Sequence, residues 1–328
     1  MEKLALEVLK RYGLVPESMT VIQSGDIKTV WKVKANGRFL CLKRLRQTID
    51  KARFSVNAQI HIKNSGGLVP GIILDTEKQP IVQYSDQLFV LYEWINGTDL
   101  NFGSPSDLKR AVQGLARFHT ASRGYRPVGD SRVSTKLGKW PEQYASMKNK
   151  LAVWKENALV SLSQPSYAAY AKYSDSMISL AGQAIDRLSR SRYGQLTAEA
   201  SGSIVLCHQD YGKGNAISAG SDIFVLDLDG VTFDLPARDL RKIIGKIAEN
   251  KGRWEADSIR DILGWYSEVN PQNEDEKEAL YTDLLFPHWY YGLVKNLFQV
   301  SKPLKAAEIE RIARLEEAKV PILKTFLK

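Results

Sequence analysis

The chain has 328 residues, 44% of them hydrophobic and 25% charged, which supplies apolar material for a sizeable core in one large or two modest domains and excludes a disordered chain. No uninterrupted apolar stretch approaches the roughly 18 to 20 residues that a membrane-crossing helix needs, so no membrane partner is expected. The net charge of +9 is scattered, without a Lys/Arg block or repeated basic and aromatic interleaving, so it reads as a solvated basic surface and no nucleic-acid partner is expected.

The N-terminus, MEKLALEVLKRYGLVP, spaces Leu4, Leu6, Val8, Leu9 and Tyr12 as an amphipathic helix. It has neither the apolar core nor the small-residue cleavage site of a signal peptide, which predicts synthesis in the cytoplasm without one. TVIQSGDIKTVWKVKANGRFLCLKRL then alternates apolar and polar residues on both sides of ANG. This is a hairpin signal, and it sets Val30, Lys32 and Lys34 against Phe39, Cys41 and Lys43 or their offset partners. Lys43 thus lies on a strand among apolar neighbours. A helix is predicted over about 50–63, ended by the glycines of NSGG.

GIILDTEKQPIVQY and LFVLYEWI read as further strands, and Asn96-Gly97 reads as a turn and a lobe boundary, dividing 1–96 from 97–328. SPSDLKRAVQGLARFHTAS predicts a helix with Leu108, Val112, Leu115, Ala116 and Phe118 on its apolar face and Ser106 or Asp107 as cap. From Pro141 onward the pattern is helical except for two short apolar runs, 203–206 and 223–228, predicted to form a hairpin. Cys41 and Cys207 stand singly in apolar stretches and read as core residues. His119, on an apolar helix face, reads as a satisfied core residue, His61 and His288 fit no metal spacing, and FPHWYYGLVKNLF, from Phe286, reads as core packing or as the wall of a pocket.

Between the two apolar runs lies HQDYGKGN, and VLDLDG ends the second of them. Asp210 and Asn215 thus stand in one short polar stretch, with Asp227 further along. Two hard oxygen donors and a spare carboxylate are what a magnesium ion on nucleotide phosphates requires beside an incoming hydroxyl.

HQDYGKGN, then VLDLDG, then DLPARDL, with Lys43, LYEWING and LARFH upstream in order, resemble the aminoglycoside phosphotransferase and choline kinase superfamily, and within it the CotS-type spore coat proteins of endospore-forming bacteria. The resemblance covers most of the chain. It implies an α+β, two-lobed protein-kinase-like fold: a small antiparallel-sheet N-terminal lobe for nucleotide and a larger, mainly helical C-terminal lobe for catalysis and substrate. It implies ATP and Mg2+ as cofactors, a small-molecule hydroxyl as substrate, other spore coat proteins as partners, and the spore coat as location. Carried over residue by residue, Asp210 would orient or deprotonate the acceptor, and Asn215 and Asp227, with Asp229 as a second carboxylate, would hold the metal. Lys43 would pair with the α- and β-phosphates. The Ser24-Gly25-Asp26 turn would cover the phosphates, and Tyr92, Glu93, Trp94 and Ile95 would face the adenine. His208 and Asp239 would brace the loop.

Two departures accompany the match. KARFSVNAQIHIKNSGG, where related kinases carry a glutamate that pairs with the strand lysine, contains no acid, and Asn57 or Gln59 lies near that position. The phosphate-covering turn has one glycine, and Asp26 adds a like charge. Two readings of different class follow. The retained Asp210, Asn215 and Asp227 favour a phosphotransferase; the missing glutamate favours a structural coat component with a vestigial or non-catalytic kinase fold.

Overall fold

The computed structural model describes residues 2–24 and 29–327. Gly25 and Asp26 of the expected phosphate-covering turn lie outside the described residues. Two compact units emerge, one built from residues 1–135 with 205–233 and the other from 136–204 with 234–328.

The first unit opens with α1 (Glu2–Arg11), followed by β1 (Ser18–Ser24), β2 (Thr29–Ala35), β3 (Arg38–Leu45) and α2 (Ile49–Asn64). Then come β4 (Ile72–Ile73), β5 (Val82–Tyr84), β6 (Gln87–Glu93), β7 (Thr98–Asp99) and α3 (Pro105–Ser122). The main sheet is antiparallel in the order β1-β2-β3-β6-β4, with β5 also on β6. The expected hairpin forms in the expected register, Val30 opposite Lys43, Lys32 opposite Cys41 and Lys34 opposite Phe39. Its two-residue turn takes Asn36 and Gly37 at φ 50° and 71°, the left-handed pair that matches strand twist.

Strand alternation gives this sheet two different faces. Trp31, Val33, Leu40, Leu42, Phe89 and Leu91 bury one face beneath Ala5, Val8 and Leu9 of α1. Leu45, Leu88, Val90 and Tyr92 bury the other against Ala52 and Val56 of α2. Lys43 belongs to this second face by register, so its ammonium emerges beside α2.

The rest of this unit is β8 (Val205–Cys207), β9 (Ala216–Ala219), β10 (Asp222–Val225), a 3-10 turn at Leu228–Gly230 and β11 (Thr232–Asp234), whose last residue belongs to the second unit. The predicted pairing of 203–206 with 223–228 is not what forms. β8 pairs with β11, while β10 pairs with β9, and β9 also receives β7. Gly220, at φ 64°, lets the chain reverse immediately after β9, so β10 finds its partner next door rather than across the polar loop.

The second unit is helical: α4 (Trp140–Leu159), α5 (Pro165–Arg190), α6 (Tyr193–Leu196), α7 (Ala237–Lys251), α8 (Ala256–Ser267), α9 (Glu274–Leu285), α10 (His288–Gln299) and α11 (Ala306–Leu323). The long α5 packs on α4, α9 and α11. FPHWYYGLVKNLF is core packing: Phe286, Tyr290, Tyr291, Val294 and Leu297 are buried. His288 serves the same interior. Burial, helped by Arg241 and opposed by Asp283, pushes its pKa down to about 3, so its 2.7 Å contact with Asp283 is a hydrogen bond from a neutral ring. Arg241, 3.0 Å away, balances the Asp283 charge. No helix among the described residues is long and apolar enough to cross a membrane.

Candidate active site

β3 delivers Lys43, only 7% exposed, and its Nζ lies 2.7 Å from Asp227 Oδ1 and 2.7 Å from Asp229 Oδ1. Burial works against the ammonium charge, but attraction from Asp229 and Asp227 outweighs it and raises the pKa. The two carboxylates reach one cation because the chain turns sharply between them. Asp227 takes the left-handed conformation, φ 61° and ψ 62°, and Leu228–Gly230 then closes as a 3-10 turn. A non-glycine residue held there is strained, and such strain persists where the surroundings over-determine it.

The surroundings do so from both sides. Gln47 donates its amide to the Asp229 carbonyl at 2.7 Å, and Gln209, itself at φ 68°, donates to the Gly230 carbonyl. Leu226, just before Asp227, is held twice: its N–H donates to Asn215 O at 2.9 Å, and its carbonyl accepts from His208 Nε2 at 2.7 Å. The other ring nitrogen of His208 accepts from the Asp210 N–H at 3.2 Å, so the proton is on Nε2 and the ring is neutral. His208 is thereby the clip between the loop bearing Asp210 and the strand end bearing Asp227.

Asn215 turns its Nδ2 toward Asp210, 2.9 Å from the carbonyl and 3.4 Å from Oδ2, which aims the Asp210 carboxylate and reserves Oδ1 as the Asn215 atom suited to a cation. The loop between them is tied down by Gly214 N–H to Asp99 Oδ1 at 3.1 Å and by the Tyr211 hydroxyl to the Ala111 carbonyl of α3 at 2.7 Å. Gln47, Asp99 and Tyr211 were not singled out by the sequence. Each acts through hydrogen bonds that no spacing rule announces.

Of the other expected residues, Tyr92 lies on the Lys43 face of the sheet, where burial, with the neighbouring carboxylates adding to it, holds its hydroxyl well above its usual pKa. The Trp94 ring sits under the Lys32 ammonium at 4.5 Å. Glu93 spends its carboxylate on the Gly71 N–H, at 2.8 Å, and on Lys63, at 3.3 Å. Ile95 is half-buried, and Ser24 ends β1. Neither amide on α2 turns to Lys43. Asn57 donates to Arg53 O at 2.8 Å within its own helix, and buried Gln59 donates to Pro70 O at 2.7 Å.

The donor set fits a hard divalent cation. Asp227 and Asp229 already converge on one positive charge, Asn215 offers an amide oxygen, and all are oxygen ligands.

Comparison with known proteins places this geometry in context. Residues 7–324 match the model of the family described as "Spore coat putative kinase YutH". Spore coat protein S of Bacillus subtilis is 24% identical over 327 residues, covering 97% of this chain and 92% of that protein. Among solved structures, an aminoglycoside phosphotransferase from Alicyclobacillus acidocaldarius superposes with a TM-score of 0.70 at 16% identity, over 97% of this chain and 93% of that one. Amicoumacin kinase hAmiN, in complex with AMP-PNP and Ca2+, superposes with a TM-score of 0.64 at 14% identity, over 98% and 94% of the two chains. These likenesses establish a kinase-like fold with an antiparallel-sheet N-terminal region and a mainly helical C-terminal region. With the family model spanning nearly the whole sequence, the chain belongs to the spore coat kinase family represented by YutH.

Proposed function

We propose that this chain is an ATP- and magnesium-dependent phosphotransferase acting on a hydroxyl of a small molecule and working in the spore coat, among other coat proteins. The observation that carries the reading is the convergence of Asp227 and Asp229 on one cationic position, clipped through His208 and Asn215 to Asp210. The left-handed backbone of Asp227, a conformation that clusters at functional sites, supports the same reading. Amicoumacin kinase, with its AMP-PNP and Ca2+, lends support to a nucleotide and a divalent ion in this fold.

In this reading residues 1–96 form the nucleotide-binding lobe and 97–328 the catalytic and substrate lobe. Asn215, Asp227 and Asp229 would hold magnesium, which would supply positive charge to offset that developing on a transferred phosphoryl group. Lys43 would pair with the α- and β-phosphates. Backbone groups of Tyr92, Glu93, Trp94 and Ile95 face the adenine. Asp210 holds the acceptor hydroxyl in line and takes its proton at a carboxylate oxygen.

One observation favours a second reading, a coat component that binds without turnover: α2 sends no acidic side chain to Lys43, and both of its candidate amides are engaged with backbone. Thermal melting tests whether nucleotide and magnesium bind, and phosphate transfer separates the two. A ligand that binds only the native state raises the midpoint, so millimolar ATP with magnesium should shift it. Asp227→Asn should erase the magnesium-dependent part, while Asp210→Asn should keep the shift and abolish transfer. No shift in the wild type sinks the phosphotransferase.

A further inference from the structure

Lys43 has its charge met by Asp227 and Asp229, so α2 does not communicate with the site through that lysine. Yet α2 is fastened to the turn that carries both carboxylates. Gln47 lies in the connection between β3 and α2, two residues before the helix begins. Its Nε2 donates to the Asp229 carbonyl at 2.7 Å, and its Oε1 receives the Ser55 hydroxyl of α2 at a longer 3.4 Å. Ser55 is buried and also donates to Ala52 O, so its position is set by the helix rather than by Gln47. One residue earlier, Phe54 meets Phe233 edge-on with ring centroids 5.6 Å apart, just beyond the same 3-10 turn.

We propose that Gln47 is a positioning residue for the metal-binding carboxylates, joining α2 to the Asp227–Asp229 turn by a bond to backbone and so doing in this chain what an acidic residue on α2 does not. The inference rests on the phosphotransferase reading and deepens it. The physical reason lies in the turn. Asp227 is held in a left-handed conformation that a free turn would leave, and the Asp229 carbonyl is the point at which the peptide plane following that residue pair can be pinned. With the plane fixed, the Asp229 carboxylate stays aimed at the Lys43 position together with Asp227. Without it, the two carboxylates are free to part, and a cation that needs both binds more weakly. Asp210 and Asn215 are anchored independently, through His208 and Leu226, so the proton-accepting side of the site does not depend on Gln47.

The test uses the full chain and reads binding by thermal melting, with ATP at fixed concentration and magnesium titrated. Gln47→Met keeps the shape of the side chain and removes both donor and acceptor. The half-saturating magnesium concentration for the midpoint shift is expected to rise about tenfold, and the shift from ATP without magnesium to stay at the wild-type value. A purely structural role would instead lower the unliganded midpoint and leave the magnesium titration unmoved. Ser55→Ala, which removes only the weaker contact, should raise half-saturation about twofold, and it decides the matter if Gln47→Met does not fold. A wild-type chain with no magnesium-dependent shift overturns the phosphotransferase reading itself. A wild-type shift whose magnesium titration is unchanged in Gln47→Met, or in Ser55→Ala where that variant decides, overturns Gln47 alone.

Discussion

Lys43 is a buried cation between two carboxylates that are 30% and 26% exposed, and this arrangement determines what its loss does. Removing one partner of a fully buried pair costs several kcal/mol, but partial exposure of the acids lets water screen them. Lys43→Met should therefore cost about 1–2 kcal/mol at pH 7. Because its folded pKa is raised above the unfolded value, the lysine's contribution is complete at neutral pH and fades only as pH rises through the folded value. Magnesium should restore part of the loss, since the same two carboxylates are then left facing each other. Urea melts of Lys43→Met with and without magnesium measure both effects, and a variant as stable as the wild type would mean that water alone suffices for the acids. The candidate residues at this scale were legible: Lys43, Asp210, Asn215, Asp227 and Asp229 come from the order of the motifs and the family those motifs resemble. Their bonding was not. Asn57 and Gln59 stand near the right place in sequence, but an amide bonds to whichever carbonyl the folded chain presents, here Arg53 and Pro70.

Helices and strands divide differently between what a sequence announces and what it hides. The β2–β3 hairpin was readable because β2 alternates through Trp31, Lys32, Val33, Lys34 and Ala35 and because Asn36-Gly37 marks a two-residue turn. β9 was not, because AISA is four residues long and adjoins a polar loop, so its pairing with β10 depends on the reversal at Gly220. The aromatic run from Phe286 shows the opposite case, where pattern is plain but direction is not. Its packing has one demanding contact. A Cβ on Gly245 of α7 would stand 1.8 Å from Cη2 and 1.9 Å from Cζ2 of Trp289 on α10. Neither helix backbone can step aside cheaply, so Gly245→Ala should destabilise by about 3 kcal/mol, at the upper end of overpacking costs. Trp289→Phe removes the ring atoms that collide. The double variant should be more stable than Gly245→Ala alone, a coupling that a double-mutant cycle by denaturant melts would read directly. Additive losses would show that the indole moves away from α7 without cost.

At the scale of the whole molecule, the chain completes its first unit only after a long absence. Residues 1–135 build the sheet, α2 and α3, and residues 205–233 return to finish them. What returns is substantial. Tyr211 bonds α3 at Ala111 and Ile223 packs against Gly114, while the Leu206 N–H donates to Ser122 Oγ at 2.9 Å. The Val225 N–H donates to the Leu68 carbonyl at 2.9 Å, and Phe233 stacks on Tyr125 and abuts Phe54. The motif order of the sequence reveals that Asp210 and Asp227 belong with Lys43, but not that the core around α3 is shared between distant segments, because each segment alone carries an ordinary amphipathic pattern. A fragment ending at Thr135 therefore keeps every residue of the main sheet and still loses four large apolar partners, Tyr211, Ile223, Val225 and Phe233, each buried or ring-stacked. At about 1.5–3 kcal/mol apiece, their removal matches the whole stability margin of a typical domain, about 5–15 kcal/mol. The same cut strips Lys43 of both carboxylates and leaves a buried ammonium unpaired. The fragment should show no cooperative thermal transition by near-ultraviolet circular dichroism and should bind a hydrophobic dye, whereas the intact chain melts sharply and does not. A sharp transition in the fragment would mean that the sheet, α2 and α3 hold together unaided, and that residues 205–233 attach the catalytic loop to a unit already folded.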